Sequence, residues 1–396
     1  MKLPLASSTW DHREIEAIQR VIASGVFTMG EEVARFQEQF AKYLGLRHCV
    51  MVNSGSSANL LMVAALCYRN KNPLRRGDEV IVPAVSWATT YSPLQQHGLK
   101  VKFVDIDLET LNFDLQALAC AVTPSTRVIL AVNLLGNPNH FAEIHRIIGS
   151  RNIILLEDNC ESLGASFGSQ PTGTFGLMAS FSFFYSHHLS TMEGGMVATD
   201  DSELGEILLC LRAHGWTRNL PKNSILCGER SDDWFDESFR FLLPGYNLRP
   251  LEMSGAAGQE QLKKLEDFVA MRRKNAQLFQ QLFRNEPRFH IQKEIGQSSW
   301  FGFSFVIRPE SGVQRDEVVK HLMHRGIDCR PIVAGDFTRS EALRFFDYEI
   351  AGEMRNAQLI GSRGFFVGNH HYDISKELEY LADCLREYPS QRTALA

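Results

Sequence analysis

Three short stretches carry residue types suited to a flat, phosphorylated organic group. Ser54-Gly55-Ser56-Ser57 opens a helical pattern. Backbone N–H groups at a helix start can cradle an anion there, and glycine lets the chain approach it closely. The same turn would also serve as an ordinary N-cap. Asp158 follows the apolar run Ile153 to Glu157. Its carboxylate could pair with a protonated ring nitrogen, as an electron-sink cofactor requires, or cap the segment after it. Trp87, in the loop after Glu79 to Pro83, could stack on a flat ring or fill core.

Other chemistries find little support. The eight cysteines, 49, 67, 120, 160, 210, 227, 329 and 384, contain no CxxC pair and no zinc-like spacing, so neither a disulfide framework nor a metal site is expected. Histidine neighbours occur at 140 and 145, 187 and 188, 321 and 324, and 370 and 371, outside any metal-ligand motif.

The elements that must position these residues alternate. Buried-strand patterns run from His48 to Asn53, Glu79 to Pro83, Val101 to Asp105, Val128 to Asn133 and Ile153 to Glu157, with helix-length segments between several of them. That is the pattern of a mainly parallel α/β sheet, whose ligands gather beyond the strands' carboxyl ends. After the turn-rich Pro244 to Pro250, Leu251 to Leu282 reads as a long helix or bent pair. Strand-like Trp300 to Ile307, helical Asp316 to Arg325 and strand-like Ile327 to Val333 follow. We expect a large domain over 1–247 and a smaller α+β domain over 248–396. A net charge of -5 without long charge runs argues against nucleic acid. The absence of a signal-like or membrane-spanning run points to the cytoplasm, without a membrane partner.

The segment from Ser180 to Val197 contains Ser180-Phe181-Ser182, then His187-His188, then Glu193-Gly194-Gly195. This frame resembles that of the DegT/DnrJ/EryC1/StrS sugar aminotransferases, fold-type-I pyridoxal phosphate proteins with an aspartate aminotransferase-like large domain. The resemblance extends through Ser24-Gly25, Thr28-Met29-Gly30, Asn53 to Asn59, Glu157-Asp158, Gly245 to Arg249 and Cys329-Arg330-Pro331. In that frame His187 holds the place of the lysine that binds the coenzyme. No neighbour can replace it, because the chain has no lysine between Lys102 and Lys222.

The resemblance implies that Gly55, Ser56 and Ser182 hold the coenzyme phosphate, Trp87 stacks on the ring, Asp158 pairs with its nitrogen and Glu161 lies near the ring hydroxyl. Glu161 departs from the Gln or His usual there. Without a lysine amine, pyridoxal or pyridoxamine phosphate would be held noncovalently, with His187 as general base and then acid. The resemblance is strongest to the subgroup with histidine for lysine. It implies removal of the C3 hydroxyl from a nucleotide-linked 4-keto-6-deoxy sugar, GDP-4-keto-6-deoxymannose before a CDP-sugar. The product would be a 3,6-dideoxysugar such as lipopolysaccharide O-antigens contain. Glutamate would restore the amine form. After Cys227 only Cys329 and Cys384 remain, too few for the iron–sulfur cluster of the CDP-sugar enzymes. Gly25, Val26, Phe27, Thr28, His214, Arg218, Arg249, Asp328 and Arg330 would surround the nucleotide sugar. Asn247 would reach a phosphate across a homodimer interface. An ordinary aminotransferase, a noncatalytic binding or sensor protein of the same fold, and the same elimination on a CDP-sugar stand as alternatives.

Overall fold

The alternating runs assemble into one eight-stranded sheet in the computed structural model, which describes residues 1–388. In chain order the principal strands are β1 (His48–Val52), β2 (Glu79–Pro83), β3 (Lys100–Val104), β4 (Thr126–Val132), β5 (Ile154–Asp158), β6 (Met178–Ser182) and β7 (Gly195–Thr199). The later strands are β8 (Phe289–Ile291), β9 (Gly302–Ile307), β10 (Cys329–Arg330), β11 (Tyr348–Ala351) and β12 (Gly364–Gly368).

The large sheet runs β1-β7-β6-β5-β4-β2-β3-β11. Every pairing from β6 to β11 is parallel, and only β7 runs against its neighbours. The expected mainly parallel α/β fold is therefore present. All residues of β2 and β5 are buried, as strands covered on both faces require. The five expected strands lie within about two residues of their places. One shift matters: Asp158 ends β5 instead of following it.

Helices α1 (His12–Ser24), α2 (Glu31–Leu44), α3 (Gly55–Tyr68) and α4 (Ala88–Gln96) cover the sheet and its flank. The Asp11 and Glu14 side chains form a capping box at the start of α1. Gly30 offers α2 no side-chain cap; instead Glu252, from helix Glu252–Leu262, accepts N–H bonds from Gly30, Glu32 and Val33. Helix α3 is apolar nearly all round after its first turn and packs on β6 and β7.

The expected Leu251 to Leu282 segment is a bent pair, Glu252–Leu262 and Leu265–Phe283. Beyond it, an antiparallel sheet of order β8-β9-β12-β10 packs a core of Phe279, Phe303, Phe305 and Phe365. Leu3 is threaded into this core and bridges to Ile327, so the first residues fold with the second half. Residues 389–396 of the expected C-terminal domain lie outside the described residues.

Two readings need correction, and one strand was not expected. The strand expected over Ile327 to Val333 shrinks to β10. Pro331 has no N–H to donate, and Val333 turns the chain away at φ 41°. The strand expected from Trp300 begins at Gly302, because Trp300 has φ 49°. Strand β11, unforeseen, crosses back from the second half to extend the large sheet in parallel with β3, Tyr348 opposite Val101.

Candidate active site

The turns at the carboxyl ends of β1, β2, β4, β5 and β6 open on one side of the sheet and line a cavity of about 670 Å³. Phe301, Arg330, Val333 and Phe366 face them from the second half, with Leu5 and Ala6 of the N-terminal segment.

At the foot of the cavity, Ser54 caps α3 by accepting the Ser57 N–H at 3.1 Å. The first N–H groups of a helix lack partners within it, so this end can take an anion. Gly55 packs so closely that a Cβ there would stand 2.5 Å from Ser182 Cβ and 2.8 Å from its hydroxyl. Ser56 is exposed above it and donates to Thr89 Oγ1 at 2.9 Å.

Asp158 is fixed by three donors. Its Oδ2 accepts from Asn59 Nδ2 at 2.9 Å and Thr90 Oγ1 at 2.8 Å, and its Oδ1 from the Cys160 N–H at 3.2 Å. Asn59 is braced in turn by the Ser180 hydroxyl at 2.6 Å. Helices α3 and α4 thus aim a strand-end carboxylate into the cavity. Trp87, just before α4, lines the same space and is 59% exposed, unusual for a residue merely filling core.

His187 lies in the loop between β6 and β7, its N–H donating to the Phe184 carbonyl at 2.9 Å. Its ring meets Phe301 and Phe184 edge-on, and Ser186 Oγ stands 3.4 Å from Nδ1. Burial pulls the imidazole down to about 4, and the nearby Arg272 cation adds to the fall. At neutral pH the His187 ring is therefore uncharged. Glu161 accepts the Leu135 N–H on Oε2 at 3.0 Å. Burial pushes its carboxyl up to about 7, against that hydrogen bond and with the Asp158 charge adding to the rise.

Eight of the residues singled out from the sequence meet here: Gly55, Ser56, Trp87, Asp158, Glu161, Ser182, His187 and Arg330. Among the described residues no lysine lines the cavity. The others lie elsewhere on this single chain. Gly25 to Thr28 form the exposed turn between α1 and α2. His214, Arg218 and Arg249 gather on Trp216, with both guanidinium groups over its ring. Asn247 joins them by accepting from Arg249 Nε at 2.9 Å. Asp328 is exposed and its N–H donates to the Leu3 carbonyl. Sequence reasoning missed the supports Thr90 and Ser180, and also Phe301, Leu5 and Ala6. For the last three no local signal existed, since only the tertiary fold brings them in.

A coenzyme of the pyridoxal class fits these groups: an anion cradle that a Cβ would close, a fixed carboxylate and an exposed indole border one cavity.

Comparison with known proteins agrees. A GDP-4-keto-6-deoxy-D-mannose 3-dehydratase of Escherichia coli O55:H7 is 59% identical over 384 residues, covering 97% of this chain and 99% of that one. Its namesake from Yersinia pseudotuberculosis is 57% identical over 388 residues, covering 98% and 99%. The solved E. coli GDP-4-keto-6-deoxy-D-mannose-3-dehydratase with bound hydrated PLP superposes with a TM-score of 0.96 at 58% identity, over 97% of this chain and 99% of that chain. The sequence pattern of the DegT/DnrJ/EryC1/StrS aminotransferase family matches residues 8–386, and the chain belongs to that family.

Proposed function

We propose that this chain is a coenzyme-dependent 3-dehydratase that removes the C3 hydroxyl of GDP-4-keto-6-deoxy-D-mannose, with L-glutamate as amino donor and ammonia released. The observation that carries the reading is His187, a neutral base in a lysine-free cavity whose other residues suit a pyridoxal-class coenzyme. Near full-length similarity to the two dehydratases supports the same activity and substrate.

Gly55, Ser56 and Ser182 would hold the phosphate, Asp158 the ring nitrogen and Trp87 the ring face, with Asn247 contributed by a partner subunit. The bound coenzyme supplies the electron sink and, in its amine form, the nitrogen that meets the sugar ketone. With no lysine among the described residues that line the cavity, the coenzyme would be held by these noncovalent contacts alone. His187 takes up a proton on a ring nitrogen and returns it to the departing C3 oxygen, so a single residue is base and then acid. Its low proton affinity makes the protonated imidazole a strong donor. Arg330, which lines the cavity, would steady the nucleotide sugar.

The remaining residues assigned to the substrate, Gly25, Val26, Phe27, Thr28, His214, Arg218, Arg249 and Asp328, would act in a homodimer. Val26, Phe27, Phe239, Phe241 and Leu251 are exposed apolar side chains of the kind that interfaces bury. On this reading residues 1–247 form the large coenzyme-binding domain and 248–396 the small C-terminal domain, and the enzyme works in the cytoplasm. All eight cysteines are free, which suits a reducing compartment.

The test is incubation of the protein with coenzyme, L-glutamate and GDP-4-keto-6-deoxy-D-mannose. A product lacking one oxygen, with one 2-oxoglutarate and one ammonia per turnover, is expected. An amino sugar instead, or no turnover on GDP or CDP substrates, overturns the proposal.

A further inference from the structure

We infer that Glu161 occupies the site as a neutral carboxyl that offers Oε1–H to the cavity as a hydrogen-bond donor, so that its ionisation sets the alkaline limit of coenzyme binding. The inference rests on the coenzyme reading above and assigns a protonation state within it.

Asp158 and Glu161 are carboxyl groups of one turn lining one cavity, in unlike surroundings. Both Asp158 oxygens accept hydrogen bonds, three in all, the pattern of a carboxylate. Glu161 has one donor, the Leu135 N–H, on Oε2. Among the described residues Oε1 has no hydrogen-bond partner, and no Lys, Arg or His nitrogen comes within 4.0 Å of either oxygen.

The Leu135 donor is held in place at some cost. Leu135 has φ 53° and Gly136 φ 92°. A Cβ on Gly136 would stand 2.5 Å from the Trp300 nitrogen. The turn is locked from the second half by the Phe301 N–H on the Leu135 carbonyl at 3.0 Å and the Ser299 N–H on the Gly136 carbonyl at 2.9 Å. One Glu161 oxygen is therefore a committed acceptor, and the other is the atom left to carry a proton into the cavity.

The charged and titratable groups that share the cavity give the second anion little help. Asp158 and Cys160 belong to its own turn, Tyr185, His187 and Glu193 to the loop after β6, and Arg330 to β10. Arg330 is the one permanent cation among them, and it makes no ion pair with Glu161. The two carboxyl groups are thus held differently: both Asp158 oxygens are committed as acceptors, and only one Glu161 oxygen is. The upward displacement of Glu161 toward neutrality agrees with this geometry.

The test measures the dissociation constant of pyridoxal phosphate for the full chain from about pH 6 to pH 9, in wild type and in Glu161→Gln, which keeps a donor but cannot ionise. Wild-type binding should weaken relative to the variant by up to about tenfold per pH unit above about pH 7. Ionisation of the coenzyme itself affects both proteins alike and cancels in the ratio. Parallel curves overturn the inference. A second readout needs no coenzyme: the infrared difference between wild type and Glu161→Gln near pH 6 should contain a protonated carboxyl band, and its absence also overturns the inference. Failure of wild type to bind the coenzyme at any pH would sink the coenzyme reading itself, an outcome distinct from parallel curves.

Discussion

The His187 and Phe301 rings meet edge-on with centroids 5.1 Å apart, and Phe301 arrives from the half of the chain beyond the last strand of the large sheet's first seven. The Phe301 carbonyl accepts from Arg272 at 3.1 Å, so the partner of the proposed base is itself anchored. Replacing His187 with Asn should leave this packing nearly intact while removing the base. Turnover should fall by at least about 100-fold with the coenzyme dissociation constant little changed. Steady-state kinetics with a parallel coenzyme titration checks this; wild-type turnover in the variant would exclude His187 as the base.

His187→Lys restores an amine at that place. C3 hydroxyl removal should disappear, and borohydride followed by peptide mass analysis should find coenzyme attached to this residue in the variant and to none in wild type. Labelled wild-type protein would contradict the noncovalent reading.

Acid should destabilise the fold. His187, His370 and His371 are each drawn down to about 4, and His188 well below its ordinary value, by burial first and by the Arg272 cation as well. In the unfolded chain they take up protons near pH 6.5, so the native state binds fewer protons between about 6.5 and 4. Stability is fully present above about pH 6.5 and is lost as pH falls toward 4, by on the order of 1–3 kcal/mol for each fully buried ring. Thermal melting across that range measures it. A melting temperature unchanged from pH 7 to 4.5 would count against buried neutral histidines.

Asp158→Asn keeps the shape but loses the negative charge offered to a ring nitrogen. Coenzyme affinity should fall by about 10- to 100-fold, the range expected for one charged hydrogen bond. Absorbance titration reads the effect. Unchanged affinity would remove Asp158 from the coenzyme contacts.

Gly55→Ala places a methyl 2.5 Å from Ser182 Cβ, so the turn or β6 must shift. We expect a loss of about 1–3 kcal/mol in folding stability and weaker binding of inorganic phosphate as well as of the coenzyme. Chemical denaturation and phosphate competition test the two effects separately, and a fully stable variant would show the contact to be soft.

Much of this was legible in the sequence because it is local. The runs ending at Val52, Pro83, Val132 and Asp158 announce themselves as apolar strands, and Gly55, Trp87 and Asp158 follow or end them within a few residues. His187 was found by position in a motif, since nothing about a lone histidine marks it. The supports were another matter. Thr90 and Ser180 reach the Asp158 site only because α4 and β6 fold beside it. Strand β11 was missed because its four residues, Tyr348 to Ala351, are short and partly exposed at a sheet edge, with little apolar signal. The Arg218 and Arg249 cluster lies away from the cavity of a single chain, and no sequence pattern states which subunit's site an arginine serves.

Strand β11 bears on how the protein is made. Val101 emerges from the ribosome long before Tyr348, the residue that pairs beside it. Until then the β3 flank is an open edge with unsatisfied backbone groups, a template for wrong partners on neighbouring nascent chains. The buried Lys102, which forms ion pairs with Glu79 and with Glu349 of β11, places a charge on that edge while it waits. Nascent chains stalled before residue 348 should therefore depend on chaperones far more than the finished enzyme does.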